Sequence, residues 1–148
     1  MTPQQVLDRI PQQEPFRFID EILELGPEHI VAAYTFSPEL DFYRGHFPGN
    51  PVTPGVILIE AMAQAGVVAL GIHMLSEELG PEEAAKYTTL FTDAQVDFSG
   101  IVEPGTRVLT TGRKVFFRRR KLRAEVEMRR EDGQLVCSGT LSGMGIPR

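Results

Sequence analysis

The feature that most constrains this chain is a run of twenty residues, Val56 to Leu75, that is apolar or small on nearly every helical face. A helix of this kind is buried on most of its sides. Twenty helical residues span roughly 30 Å, a length that would also suit a membrane span. However, Glu60, Gln64 and His73 interrupt the run and no basic cluster flanks it. We therefore expect no membrane span, and a helix buried at the centre of a soluble core.

Segments on both sides of this helix have the β-branched, aromatic and alternating patterns of strands. A short helix is expected over Thr2–Ile10, and a surface turn or a short capped helical turn over Ser76–Ala85. Two strands, one long helix and four further strands predict an α+β fold, with an antiparallel sheet wrapped around the helix. The six predicted strands are Phe16–Leu25, His29–Phe36, Thr88–Phe98, Arg107–Arg118, Lys121–Arg130 and Leu135–Met144.

Three of the later strands have apolar residues that are placed for burial. Apolar and charged residues alternate closely between Lys121 and Arg130, which predicts a strand with one solvent-exposed face. Leu90, Ala94, Val96 and Phe98 are expected on one face of the first of these strands. In the next strand the residues available for burial are Val108, Thr110, Val115 and Phe117.

Length and composition limit the classes of protein to consider. A chain of 148 residues suits one domain with one core, here residues 1–148. The net charge of −5 argues against nucleic acid as a partner. Cys137 is the only cysteine, so no internal disulfide can form, and the N-terminus has no signal-peptide pattern. We therefore expect a cytoplasmic protein.

A stiff loop, Gly45 to Gly55, leads the chain into the long helix. Prolines at positions 48, 51 and 54 fix the backbone and remove amide donors. Such rigidity beside an ionisable group indicates that the side chain of His46 is held in a fixed position for a functional role. The alternative is a simple turn on which His46 is merely exposed.

Two further groups are expected near this histidine. Glu60 is the only carboxylate within the apolar run, and burial favours the protonated form that a general acid needs. The alternative is a Glu60 at an exposed rim, or one held by a structural partner. The helix begins at Gly55, whose backbone N–H has no intrahelical partner. A base, an acid and a free donor would suit removal of a proton next to a carbonyl.

At this point the sequence resembles a known family, the 3-hydroxyacyl-acyl-carrier-protein dehydratases of the FabZ type, which have a hotdog fold. The related FabA-type enzymes carry aspartate where this chain has Glu60. Two looser matches lie at Pro15–Asp20 and at Val102–Thr106. The segments that carry the resemblance are His46-Phe47-Pro48-Gly49-Asn50-Pro51-Val52-Thr53-Pro54-Gly55-Val56 and Glu60-Ala61-Met62-Ala63-Gln64.

The resemblance implies a function and an assembly. His46 and Glu60 would catalyse dehydration, facing each other across a homodimer, and Gly55 N–H would hold the thioester oxygen. The acyl chain would run in an apolar tunnel, to which we assign Phe47, Pro54 and Ile59. The partner would be acyl carrier protein. The substrate itself carries the phosphopantetheine, so no cofactor and no metal is expected.

The chain departs from the family pattern at three places. Thr53 stands where the family usually has Met, and Phe98–Val102 replaces a Phe-Arg-x-Pro-Val segment. A tunnel-gating tyrosine of some members falls near Thr89, with Tyr87 and Phe91 beside it. These changes leave the acyl length and the pathway open, whether primary fatty-acid, lipid A, polyketide or polyene synthesis. Assembly of dimers into hexamers is open as well.

Basic residues and a second histidine each allow two interpretations. Arg118, Arg119, Arg120 and Lys121 form the one basic cluster, which is either a docking site for an acidic, phosphopantetheine-bearing carrier or a solvated hairpin tip. Arg17 and Arg44 are further docking candidates. His73 is either a second catalytic histidine or, as we expect, a histidine beside the C-terminal dipole of the helix.

Two alternative functions remain for a chain of this kind. A hotdog thioesterase would hydrolyse the thioester bond instead of removing water. A non-catalytic acyl-binding subunit would bind its ligand without turnover, although the presence of both His46 and Glu60 argues against it.

Overall fold

The structure is a computed structural model that describes residues 1–148, and it has the hotdog architecture. One six-stranded antiparallel sheet wraps around a central helix, in the strand order β1-β2-β4-β5-β6-β3. This is the α+β fold expected from the sequence. The strands are β1 (Glu21–Leu25), β2 (His29–Thr35), β3 (Tyr87–Phe98), β4 (Arg107–Arg118), β5 (Lys121–Arg130) and β6 (Leu135–Pro147).

The helices are α1 (Pro3–Arg9), the central α2 (Gly55–Leu79) and the short α3 (Pro81–Ala84), with a 3₁₀ turn at Asp41–Arg44. Helix α2 contains a π-helical segment, Gln64–Ala69, which no sequence pattern indicated. It is long and apolar enough to cross a membrane by length and composition alone. However, 61% of its most apolar 18-residue window is buried inside the protein, as expected for a core helix.

Helix α2 lies directly against the sheet at Gly66. A Cβ atom added to Gly66 would lie 2.5 Å from Val126 Cγ2, and one added to Gly112 on β4 would lie 2.8 Å from Gly66 Cα. Real Cβ atoms do not make contacts this short, so the absence of side chains lets helix and sheet meet here. By contrast, a Cβ atom on Gly71, five residues later, would make only one ordinary contact, 3.8 Å from Leu122 Cδ2.

This contrast predicts opposite effects of one substitution on stability. Gly66→Ala and Gly71→Ala both gain helix propensity, but only Gly66→Ala forces the helix and sheet apart. We expect Gly66→Ala to unfold at lower denaturant, with a free energy of unfolding about 1–3 kcal/mol below that of Gly71→Ala. Urea unfolding followed by circular dichroism measures both. Equal midpoints would mean that Val126 rotates aside without cost.

Four sequence predictions need correction. The first strand begins at Glu21 and not at Phe16, and α2 continues through Ser76 to Leu79. A register shift between Lys114 and Phe116 leaves Val115 unpaired and 49% exposed, so it does not join the buried face. Strand β3 is largely exposed on both faces, with Leu90, Phe91 and Phe98 among its exposed residues.

Candidate functional site

The loop that carries His46 is closed by backbone hydrogen bonds. His46 N donates to Phe42 O at 3.0 Å, and Val52 N donates to His46 O at 2.9 Å. Phe47 and Asn50 exchange both of their backbone bonds inside the loop. The loop is therefore held at both ends of the proline-rich segment, as the sequence predicted for a rigid connection.

The imidazole of His46 is itself anchored. Its Nδ1 lies 2.9 Å from Val52 O, and its ring stacks on Phe47 with centroids 4.2 Å apart. A backbone carbonyl can only accept a hydrogen bond, so Nδ1 carries the proton in this contact. In the neutral ring, Nε2 then has a free lone pair and can accept a proton.

Glu60 lies half-buried in the second turn of α2, held by Gln64. Gln64 Nε2 donates to Glu60 Oε1 at 3.0 Å and to Phe16 O at 3.0 Å. Phe18 N donates to Gln64 Oε1 at 2.7 Å, and the Gln64 side chain is fully buried. Since both ends of the amide are fixed, Glu60 Oε1 is fixed as well. Glu60 Oε2 has no hydrogen-bond partner in the chain and remains available.

The start of α2 provides unpaired donors at Gly55 and Val56. The first bond of the helix runs from Ile57 N to Pro54 O at 3.0 Å, so the two preceding N–H groups come before it. Val56 is 73% exposed. A Cβ on Gly55 would lie 3.2 Å from the Phe98 ring, so glycine lets this ring lie close to the helix end.

None of the five main cavities of the chain contains these groups. The five main cavities are lined by residues other than His46, Gly55 and Glu60. The three residues predicted to line the tunnel, Phe47, Pro54 and Ile59, line none of these cavities either, and Phe47 is 53% exposed. A single chain thus holds His46, Gly55 and Glu60 outside these cavities, and the predicted tunnel stays a prediction.

A cavity of about 410 Å³ lies near the other end of α2. Helix α1, the end of α2, helix α3 and the starting residues of β3 enclose it, with Thr89 among its lining residues. The Ser76 hydroxyl also lines it, buried and without a hydrogen-bond partner. The lining of the cavity is therefore mixed, with apolar side chains such as Ile72 and Leu75 beside polar and charged ones such as Thr89 and Arg9.

The basic cluster forms the tight turn between β4 and β5, at the same end of the molecule. Arg119 and Arg120 occupy its two central positions with φ of +50° and +60°. The Arg120 guanidinium lies 5.1 Å from the Tyr87 ring centroid at the start of β3. Arg119 has no ion-pair or hydrogen-bond partner for its side chain.

The other basic candidates are already engaged. Arg44 pairs with Asp41 at 2.6 Å, and Arg17 donates to Leu7 O at 3.0 Å. Both therefore have structural partners, unlike Arg119.

His73 occupies neither of the two predicted environments. Because α2 continues to Leu79, His73 lies more than a turn before the helix end, and about 20 Å along the axis from Glu60. Its side chain is buried with Nδ1 unpartnered. Burial lowers the pKa of His73, and the nearby N-terminal ammonium of Met1 lowers it further, whereas Glu77 opposes them. The prediction that His73 interacts with the C-terminal dipole of the helix was therefore wrong.

Sequence reasoning missed two contacts at the site. Gln64 was assigned no role, although its position four residues after Glu60 places both side chains on one helix face. Tyr43 and Thr53 were not linked, yet their hydroxyl groups lie 2.5 Å apart. Only the folded loop brings this second pair together, so no sequence spacing indicated it.

Comparison with known proteins gives a family and a fold. The FabA-like domain family matches residues 10–141. The 3-hydroxyacyl-acyl-carrier-protein dehydratase FabZ of Streptococcus pyogenes serotype M3 is 37% identical over 134 residues, which cover 90% of each chain. The same protein of serotype M1 matches to the same extent.

Solved structures share the fold at lower identity. The dehydratase heterocomplex ApeI:P from Xenorhabdus doucetiae has a TM-score of 0.79 and 17% identity, covering 100% of this chain and 93% of that one. A mutant thioesterase from Pseudomonas aeruginosa has a TM-score of 0.70 and 13% identity, and the match covers 100% of this chain and 96% of that one. At these identities the likeness concerns the fold alone.

Proposed function

We propose that this chain, which belongs to the FabA-like domain family, is a dehydratase that converts 3-hydroxyacyl-acyl-carrier-protein to the trans-2-enoyl product in acyl-chain biosynthesis. The observation that carries the proposal is the anchored imidazole. Since Val52 O holds His46 Nδ1, the opposite nitrogen has a free lone pair on a rigid loop. This is the arrangement that a general base requires.

The chemistry follows from the three groups and needs no cofactor. His46 Nε2 takes the proton from the carbon next to the thioester carbonyl. The electron pair of the broken C–H bond forms the C=C bond as the C–O bond to the hydroxyl breaks. Glu60 gives its proton to the departing hydroxyl, which leaves as water. Gly55 N–H donates to the thioester oxygen while negative charge develops there.

A second copy of the chain would complete the site, because His46, Gly55 and Glu60 of one chain form only a half-site. Strand β3 lies at one edge of the sheet, paired only with β6, and exposes Leu90 and Phe91. A twelve-residue edge strand with exposed apolar side chains is a template for pairing with another chain. Antiparallel pairing of two β3 strands gives a twofold dimer, and we propose that His46 and Glu60 meet across it.

Such pairing also explains where the cavity and the basic turn lie. Phe98, at the end of β3, lies over Gly55, whereas Arg120 contacts Tyr87, at its start. Twelve strand residues span roughly 36 Å, so neither feature serves the half-site of its own chain. Antiparallel β3 strands bring the start of one beside the end of the other. The 410 Å³ cavity of one copy would then receive the acyl chain from the other copy's half-site.

The basic turn is then the docking surface for the carrier protein. Arginine rarely adopts positive φ, and backbone strain of this kind occurs at functional positions. The turn holds Arg119 in solvent with no partner of its own. An acidic carrier protein and its phosphate would find complementary charge there.

We expect the enzyme in the cytoplasm, where fatty-acid precursors are made on soluble carriers. Cys137 is buried, and burial raises the pKa of its thiol to about 12, so it stays a neutral thiol at neutral pH. It takes no part in the proposed chemistry.

The proposed reaction is tested by incubating the protein with 3-hydroxyacyl-acyl-carrier-protein at several acyl lengths. A dehydratase produces the conjugated enoyl thioester, which is followed by its ultraviolet absorbance and by mass spectrometry as a loss of water. A thioesterase releases free carrier thiol instead. Binding without either product would mean an acyl-binding subunit.

The docking surface predicts a selective effect of charge reversal. We expect Arg119→Glu to raise KM for the carrier-bound substrate about 10-fold or more, because the attraction between the partners is lost. Turnover of the same acyl group on a small N-acetylcysteamine thioester is expected to stay unchanged. Arg113→Glu, an equal charge change at an exposed position on β4, is the control. Equal losses in both variants would point to net charge and not to a docking site.

A further inference from the structure

The loop that carries His46 is closed at its base by one buried hydrogen bond. Tyr43 Oη and Thr53 Oγ1 lie 2.5 Å apart, and both side chains are more than nine-tenths buried. Each hydroxyl is the only side-chain hydrogen-bond partner of the other. Tyr43 lies in the 3₁₀ turn just before the loop, and Thr53 is the last residue before the cap of α2.

This bond lies between two elements of the proposed site. On one side of Thr53, Val52 O accepts the bond that fixes the His46 imidazole. On the other side, Pro54 caps α2 and Gly55 provides the free N–H. Thr53 N also donates to Val102 O at 3.0 Å, which ties this point to the body of the protein. A shift of Thr53 would therefore disturb the carbonyl that anchors the imidazole on one side and the helix start on the other, and so change the distance between the base and the donor.

The chemistry of the pair fits a permanent link. Burial raises the pKa of Tyr43, although the hydrogen bond with Thr53 opposes that rise. The phenol thus remains protonated at neutral pH, and either hydroxyl can donate to the other.

We propose that Tyr43 and Thr53 are positioning residues, whose hydrogen bond sets the placement of His46 Nε2 relative to the Gly55 N–H. The proposal rests on the dehydratase function and adds two residues that do not touch the substrate. Small displacements of a reacting group reduce turnover without reducing substrate binding to the same extent.

Four variants test the link kinetically: Tyr43→Phe, Thr53→Val, Thr53→Ser and the double variant Tyr43→Phe/Thr53→Val. We expect the two single variants that remove a hydroxyl to lower kcat about 10-fold, with KM nearly unchanged. The double variant is expected to lose no more than either single one, because both remove the same bond. Thr53→Ser, which keeps the hydroxyl, should retain most of the activity. Wild-type kcat in Tyr43→Phe, or additive losses in the double variant, would overturn the proposal.

A second measurement separates this proposal from the dehydratase assignment. Nitrogen chemical shifts in histidine-labelled protein report which ring nitrogen of His46 carries the proton, and His46→Ala identifies its signals. We expect the Nδ1–H form in the wild type and a mixture of both forms in Thr53→Val. This readout needs no turnover, so it applies even if the wild type fails to dehydrate its substrate. An unchanged tautomer in Thr53→Val would exclude the positioning role.

Discussion

His46→Ala is expected to lower dehydratase turnover by ~10²-fold or more while the protein stays folded. The imidazole makes one side-chain hydrogen bond, to Val52 O, and is only partly buried, so its loss leaves the core intact. What disappears is the free lone pair at Nε2, for which alanine has no substitute. Steady-state rates on a carrier-bound substrate, with thermal unfolding as the check on folding, measure the effect. His29→Ala is the control, since His29 is partly exposed and its only charged contact is Glu24 on the neighbouring strand β1.

A loss of turnover of the same size is expected from Glu60→Gln, which removes the acidic proton of the side chain but keeps its shape. Glutamine keeps the size of the side chain and its amide oxygen can still accept from Gln64 Nε2, so the clamp on α2 survives. It cannot give a proton to the departing hydroxyl. Activity near that of the wild type in Glu60→Gln would assign the acid to another group, and the same result in His46→Ala would remove the base from the mechanism.

The sequence was sufficient where one physical rule decides the structure. A long apolar run broken by Glu60, Gln64 and His73 predicts a buried core helix, and Pro54-Gly55 marks its start, so α2 was predicted closely. The alternation between Lys121 and Arg130 predicted β5 to the residue. Local patterns of this kind predict both the type of secondary structure and the face of it that is buried.

It was insufficient where the deciding contact comes from a distant part of the chain. Gln64 fixes Glu60 only because Phe16 and Phe18, more than forty residues earlier, provide its other partners. Val115 stands in the apolar run Val115-Phe116-Phe117, where no alternation indicates the buried face, and a bulge in the pairing with β5 leaves it exposed. Strand β3 has the pattern of a buried strand, but it lies at the edge of the sheet and its own chain leaves most of its residues exposed.

The exposure of β3 leads to the most discriminating prediction, the recovery of activity from two inactive variants. We expect an unfolded and refolded equal mixture of His46→Ala and Glu60→Gln chains to regain about one quarter of wild-type turnover. If the two residues meet across a dimer, a mixed dimer has one site with both defects and one intact site. Half of the dimers are mixed, and half of their sites work.

If each chain instead used its own His46 and Glu60, every site in the mixture would lack one group and turnover would stay at the level of the single variants. The control is the same mixture without refolding, in which the chains exchange slowly and the recovery should be smaller. Failure to recover, with dimers present by sedimentation, would mean that β3 pairing does not build the site.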